Sequence, residues 1–241
     1  MIEELIRKHL RGLNAENVLD VGPGYANFSR TVAETTGATQ ITFVDCDPSV
    51  LAWQTEECSK VNMHSSSLLV ALDIEGISSV TGTYDVIHCQ ELLEHLSNAP
   101  DVLGALAKLL SPNGRMIITV PTKHSERWMA WINPSYMKNE THGHLNVFDE
   151  PSLRGLLTAA GLELMEFIPT QPHYVVAHTW LFGTRMNIEG STGKVLSRGF
   201  RGFVFNYLLR FSRAFFMLTG PKFWGRVLGR NYFIVARKIE S

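Results

Sequence analysis

Cysteine is scarce in this chain. Its 241 residues hold three, Cys46, Cys58 and Cys89, an odd count without metal-site spacing. That argues against a disulfide framework or a cysteine-built zinc site and fits reduced thiols in a cytoplasmic protein. A run of about 18 uncharged apolar residues is also missing, so no segment reads as a spanning helix. Glu3 and Glu4 interrupt the N-terminus, and no continuous apolar core follows, so a secretory signal is not expected. There is no internal repeat and no low-complexity tract. Net charge is nearly absent at −1, with 19% charged residues, so nothing global calls for a polyanionic partner. One further absence is local: no Asp or Glu occurs from Lys194 to Arg230.

What is present is apolar sequence in a strict rhythm. At 45% apolar, the chain can build one well-buried domain with room for an insertion. Ile2, Leu5, Ile6, Leu10 and Leu13 follow helical spacing. Asn17 to Val21 is a short apolar strand running into Gly22-Pro23-Gly24, with a helix expected from about Phe28 to Glu34. Ile41–Asp45 reads as a second strand, Leu68–Leu72 as a third before Asp73, and Tyr84–Cys89 as a fourth. Pro100 to Leu110 is helical and is expected to stop at the Ser111-Pro112-Asn113-Gly114 turn, before a fifth strand from Arg115 to Val120. Pro151 to Ala160 reads as a helix capped by Asp149, and Leu162–Ile168 and Tyr232–Ala236 as the last strands. Strands alternating with helices predict an α/β fold around a doubly wound, mostly parallel sheet. The interval 169–230 is too long for a plain connection and reads as a helical insertion.

In such sheets ligands bind beyond the carboxyl ends of the strands, near the switch in strand order. Small residues at Gly22, Gly24 and Ala26 allow backbone to approach a ligand there. Asp45, ending the second strand, can accept hydrogen bonds from both hydroxyls of a ribose. A dinucleotide site wants a third glycine where this chain has Asn27. A cofactor with an ammonium group instead suits the carboxylate of Asp20.

The ensemble is specific. Val18-Leu19-Asp20-Val21-Gly22-Pro23-Gly24, Asp45, Asp73-Ile74, Asp85 through Leu96, and Leu110 through Arg115 together resemble the motifs of the class I S-adenosylmethionine (SAM) dependent methyltransferases. The likeness covers roughly 15–168 plus a terminal strand at 231–238. It implies a seven-stranded Rossmann-like sheet in a single domain, 1–241, with 15–168 as the SAM-binding core and 169–230 as the insertion. It implies SAM as cofactor, held by Asp20, Gly22, Gly24, Asp45, Cys46, Asp73, Ile74 and Gln90.

Methyl transfer needs alignment and, for an oxygen acceptor, a base or a metal. Glu91, Glu94 and His95 relate as i, i+3 and i+4, which on one helical turn gives them a shared face. Thr141-His142-Gly143-His144 follows the fifth strand. The segment His144 through Asp149 resembles ubiquinone-type O-methyltransferases and small-RNA 2′-O-methyltransferases. Some of these hold a divalent cation, which maps here to Glu91, Glu94, His95 and His144. The plainer reading needs no metal: Glu94 braces the turn, and His95 and His144 face the acceptor. His88 reads as a satisfied core histidine. Lys123, His124, Trp128, Trp131 and Tyr136 offer aromatic surface for an acceptor or for lid packing.

The insertion is basic and aromatic. Leu196, Phe200, Phe203, Tyr207, Phe211, Phe215 and Leu218 recur at helical spacing, with Arg198, Arg201, Arg210 and Arg213 mainly on another side. Such a helix fits a membrane surface, internal packing or a homodimer through 194–230, or nucleic acid. The near-neutral chain speaks against the last. The expectation is therefore an O-methyltransferase for a small or lipid-linked acceptor, cytoplasmic or peripheral at the inner membrane face. RNA methylation with a metal, or SAM binding without turnover, are the alternatives.

Overall fold

The structure is a computed structural model that describes residues 2–26, 28–60, 63–132, 143–173, 175 and 200–239. Asn27, Tyr136, Thr141, His142, Lys194, Leu196 and Arg198 lie outside the described residues, as do the side chains of Ile74, Phe200, Arg201, Phe203 and Phe205.

In chain order the elements are α1 (Ile2–Leu10), β1 (Asn17–Val21), α2 (Phe28–Thr36), β2 (Gln40–Asp45), α3 (Pro48–Ser59), β3 (His64–Leu69), α4 (Ile74–Ser78) and β4 (Tyr84–Gln90). After a single 3-10 turn at Leu93–His95 come α5 (Ala99–Leu109), β5 (Leu110–Pro121), α6 (Lys123–Ile132), α7 (Glu150–Ala159) and β6 (Leu162–Thr170). Then follow α8 (Phe200–Thr219), α9 (Pro221–Leu228) and β7 (Asn231–Lys238).

The seven strands form one sheet in the order β3-β2-β1-β4-β5-β7-β6. Parallel pairing joins β3 to β2, β2 to β1, β1 to β4 and β4 to β5. Backbone bonds from Arg230 to Thr170 and from Ile239 to Gly161 bracket β7 and β6 in antiparallel sense. The mostly parallel sheet predicted from the sequence is thus the one observed. The inner strands read as continuous apolar runs because helices cover both faces: Val18, Leu19, Val86, Ile87, Ile117 and Phe233 are fully buried.

Two expectations are corrected. The third strand lies at His64–Leu69, not Leu68–Leu72. It is a sheet edge paired only with β2 and half exposed, so it needs no apolar run, and His64-Ser65-Ser66-Ser67 suffices. Ser111-Pro112-Asn113-Gly114 does not turn ahead of the fifth strand but sits inside it. There β5 runs from Leu110 to Arg115 while β4 advances only from Tyr84 to Val86, a bulge. Gly114 is required, since a Cβ there would lie 2.9 Å from the Asp85 carbonyl oxygen.

The chain divides into two compact units. The first comprises Met1–Val120, Phe148–Phe167 and Phe233–Ser241; the second comprises Pro121–Val147 and Ile168–Tyr232. Within the second, Thr122 donates through N to the Arg230 carbonyl (2.9 Å) and through Oγ1 to that of Gly229 (2.6 Å). Gly225 lets α9 lie against the backbone at Pro169, where a Cβ would be 2.4 Å from the carbonyl oxygen.

Candidate functional site

Strand order reverses between β1 and β4, and the carboxyl ends of β2, β1 and β4 stand side by side in the first unit. The turn after β1 is glycine-built for a reason. Gly22 and Gly24 have φ of 64° and 54°, and a Cβ on Gly22 would meet Leu92 Cδ1 at 3.2 Å. Gly22 N is anchored on the Val44 carbonyl at 2.8 Å. Gln54, buried on α3, donates to the carbonyls of Gly24 (2.8 Å) and Ala26 (3.0 Å). Sequence reasoning missed this brace. Its signal was a polar residue on the buried helix face formed by Val50, Leu51 and Cys58.

Asp45 ends β2 with its carboxyl buried and Oδ1 accepting from Asp47 N at 2.9 Å. Burial pushes its pKa above the usual carboxylate range, and the bond from the Asp47 backbone partly offsets this. Cys46 follows it, exposed. Asp73 is the N-cap of α4, with Oδ1 accepting from Gly76 N at 2.8 Å. Gln90 ends β4, and its Oε1 is buried without a hydrogen-bond partner among the described residues.

Asp20, expected to face the cofactor's ammonium group, lies next to the last residue of β1. It is 1% exposed, and Oδ1 pairs with His88 Nδ1 at 2.9 Å across the β1–β4 register. Of the two ring nitrogens of His88, Nδ1 is thus partnered, whereas Nε2 is buried without a partner among the described residues. Burial pushes the Cys58 and Cys89 thiols up, which disfavours either as a nucleophile.

Glu91, Glu94 and His95 do not share one α-helical turn, contrary to the expectation. Glu91 takes a left-handed conformation (φ 48°), its N bonded to the Thr119 carbonyl at 2.9 Å, and only Leu93–His95 form the 3-10 turn. A left-handed non-glycine residue at a strand end is a strained backbone of the kind found at functional sites. Glu94 is buried in that turn and His95 half-buried.

The second unit holds a constellation that the sequence did not disclose. Glu126, on α6 and 1% exposed, accepts from His144 Nδ1 (2.5 Å) through Oε2 and from Arg230 Nη1 (3.2 Å) through Oε1. Arg230 Nη1 also donates to Ser125 Oγ at 3.2 Å. These residues lie far apart in the chain, so no local pattern links them. Nearby, His124, Trp128 and Trp131 line a cleft of about 430 Å³ with Val175, Val227 and Leu228.

The first unit's features fit a nucleoside-bearing cofactor. There is a turn that a Cβ would obstruct, a buried carboxylate at the second strand end, and an unpartnered amide oxygen at the fourth. Comparison with known proteins agrees. A family model of the methyltransferase domain matches residues 2–166. The chain belongs to this family, the class I SAM-dependent methyltransferases. It is similar to the ubiquinone biosynthesis O-methyltransferase of Idiomarina loihiensis, 28% identical over 167 residues, 66% of each chain. It thus spans about two thirds of that relative's length. In fold it resembles an O-methyltransferase family protein from Burkholderia thailandensis (TM-score 0.56, 20% identity, covering 68% of this chain and 51% of that one). It also resembles the N-methyltransferase NodS of Bradyrhizobium japonicum WM9 in complex with S-adenosyl-L-homocysteine (TM-score 0.56, 14% identity, 98% and 85%).

Proposed function

We propose that the protein transfers the methyl group of SAM to an oxygen of a small acceptor, one carried on a lipid. The observation that supports an oxygen acceptor is the Glu126–His144 pair. An amine can attack with its own lone pair, whereas a hydroxyl is a poor nucleophile until its proton is removed. An ionised carboxylate only accepts hydrogen bonds. The pairing with Glu126 holds the His144 ring in one orientation, the logic by which a buried acid positions a histidine base. Arg230 holds the other oxygen of Glu126 and fixes the carboxylate in place.

When bound, SAM supplies an electrophilic methyl on a sulfonium, which leaves as a neutral thioether. Gly22 and Gly24 would let the cofactor approach the backbone, Asp45 would accept from the ribose hydroxyls, and Gln90 would offer its amide at the fourth strand end. His144 would take the proton of the acceptor hydroxyl, while a bound SAM would supply the methyl group. His95, in the 3-10 turn after β4, is a second acceptor-side candidate. The relatives named as O-methyltransferases support the same class of acceptor.

The test is SAM with a labelled methyl, added with purified protein to lysate from cells lacking it, with and without chelator. The expected result is label in the organic-soluble fraction at full rate in chelator. Label in nucleic acid, lost in chelator and restored by a divalent salt, overturns the proposal in favour of RNA 2′-O-methylation and the cation reading of Glu91, Glu94, His95 and His144. Bound SAM with no labelled product in any fraction would leave a binding protein without turnover.

A further inference from the structure

The helix α8 buries only part of its circumference. Ser212 and Phe216 are buried, one turn apart, and Leu208 and Leu209 are half-buried. Tyr207, Phe211, Phe215 and Leu218, at i, i+4, i+8 and i+11, form a second stripe, and this one faces outward. Phe211 is 63% and Leu218 is 87% exposed. On α9, Phe223 and Val227 are exposed as well. Single exposed apolar residues are ordinary, but two consecutive helices presenting aromatic and aliphatic side chains mark an interaction surface.

Charge indicates what the surface meets. Arg210 borders the stripe on α8, Arg213 lies further round the same helix, and Arg226 stands on α9, all exposed. None of the three has an acidic partner among the described residues. No Asp or Glu occurs anywhere in α8 or α9. A second copy of this surface would set arginine against arginine without a compensating acid. An anionic lipid headgroup layer satisfies both features at once: cations on phosphates, aromatic rings at the boundary with the acyl region. No described helix is long and apolar enough to cross a membrane, so the contact is one of lying on the surface. Val227 joins this face to the cleft lined by Trp128, Trp131 and Leu228 in the same unit, a route by which an apolar tail passes from the lipid into the protein.

We propose that α8 and α9 dock the protein on an anionic membrane surface, with the Trp128–Trp131 cleft receiving the apolar tail of a lipid-borne ligand. This deepens the lipid-linked acceptor proposed above and rests on it only for the cleft's occupant. Docking is read without turnover.

The full chain is floated with vesicles of phosphatidylcholine containing phosphatidylglycerol, and with phosphatidylcholine alone. Flotation with the anionic vesicles is expected, weakened at least tenfold in high salt, with little on the neutral ones. The Phe211→Ser/Leu218→Ser and Arg210→Glu/Arg226→Glu variants should each lose at least tenfold in vesicle affinity while keeping wild-type SAM affinity and a single monomeric species in light scattering. The proposal is overturned if the wild type ignores anionic vesicles at low salt, or if both variants float as well as it does. It is also overturned if the wild type is a dimer that the Phe211→Ser/Leu218→Ser change splits, which would make the stripe a contact between copies. Docking without an organic-soluble labelled product would sink the acceptor and keep the surface.

Discussion

The two compact units keep their large apolar side chains differently. In the first, Val18, Leu19, Phe43, Ile87 and Leu103 are sealed inside, and its conspicuous polar groups, Asp20 and Asp45 near strand ends and Gln54 on α3, are buried and hydrogen-bonded. In the second, Trp128, Trp131, Tyr207, Phe211, Phe215, Leu218 and Phe223 are exposed. A nucleoside site demands fixed backbone, and fixed backbone comes from a closed core. A surface that receives something apolar must hold it out to solvent in advance, at a cost in solubility offset here by arginines.

That contrast can be broken most severely at Glu126. Glu126→Leu leaves Arg230 and His144 without their shared carboxylate and is expected to destabilise the second unit by about 3–5 kcal/mol. Urea unfolding followed by tryptophan fluorescence should show an early transition, while titration calorimetry returns an unchanged SAM affinity. A parallel loss of SAM binding would mean that the units unfold as one block.

Next in size is acid. Burial, and then the positive charge of Arg213, lower His173 from its ordinary value of 6.5 to about 4. Above 6.5 the ring is neutral folded or unfolded, and stability is complete. Between 6.5 and about 4 the unfolded chain binds a proton that the folded protein refuses, so stability falls as pH drops, by roughly 3 kcal/mol across the window. His173→Gln should flatten the pH profile of the urea midpoint. An unchanged slope would remove His173 as the cause.

Asp45→Asn tests the first unit's site alone. The amide keeps an acceptor for Asp47 N but loses the charge that strengthens bonds from ribose hydroxyls. SAM affinity should fall by about 1.5–3 kcal/mol by calorimetry, with an unchanged urea midpoint. Smallest of all, Leu218→Ser should alter stability by less than about 0.5 kcal/mol, because the side chain is already in water. A larger loss would show that the stripe packs against protein.

Much of the first unit was legible in the sequence because its signals are local. Asp149 caps α7 as its place before the helix foretold, and the structure adds Ser152 as the other half of a capping box. Gly22 and Gly24 stand in the turn because the backbone there takes positive φ, and Asp45 stands where the second strand ends. Polar groups paired across the chain were not legible. His88 read as a core histidine, but only the β1–β4 register sets it against Asp20. Nothing near Glu126 in the chain marks it out, and only the fold brings His144 and Arg230 to it. Glu91 fitted a helical turn by spacing, yet the backbone bond to Thr119 holds it in a left-handed state instead.

By itself, then, the sequence determined the alternation of strands and helices, the glycine turn, and the family to which the chain belongs. All of these are written in periodicity and in residues close along the chain. Tertiary structure alone decided which carboxylates are partnered and by whom, where the edge strand lies, and which face of α8 meets solvent. Those outcomes depend on strand register, burial and long-range pairing, and a helical wheel is the same whichever side the core takes.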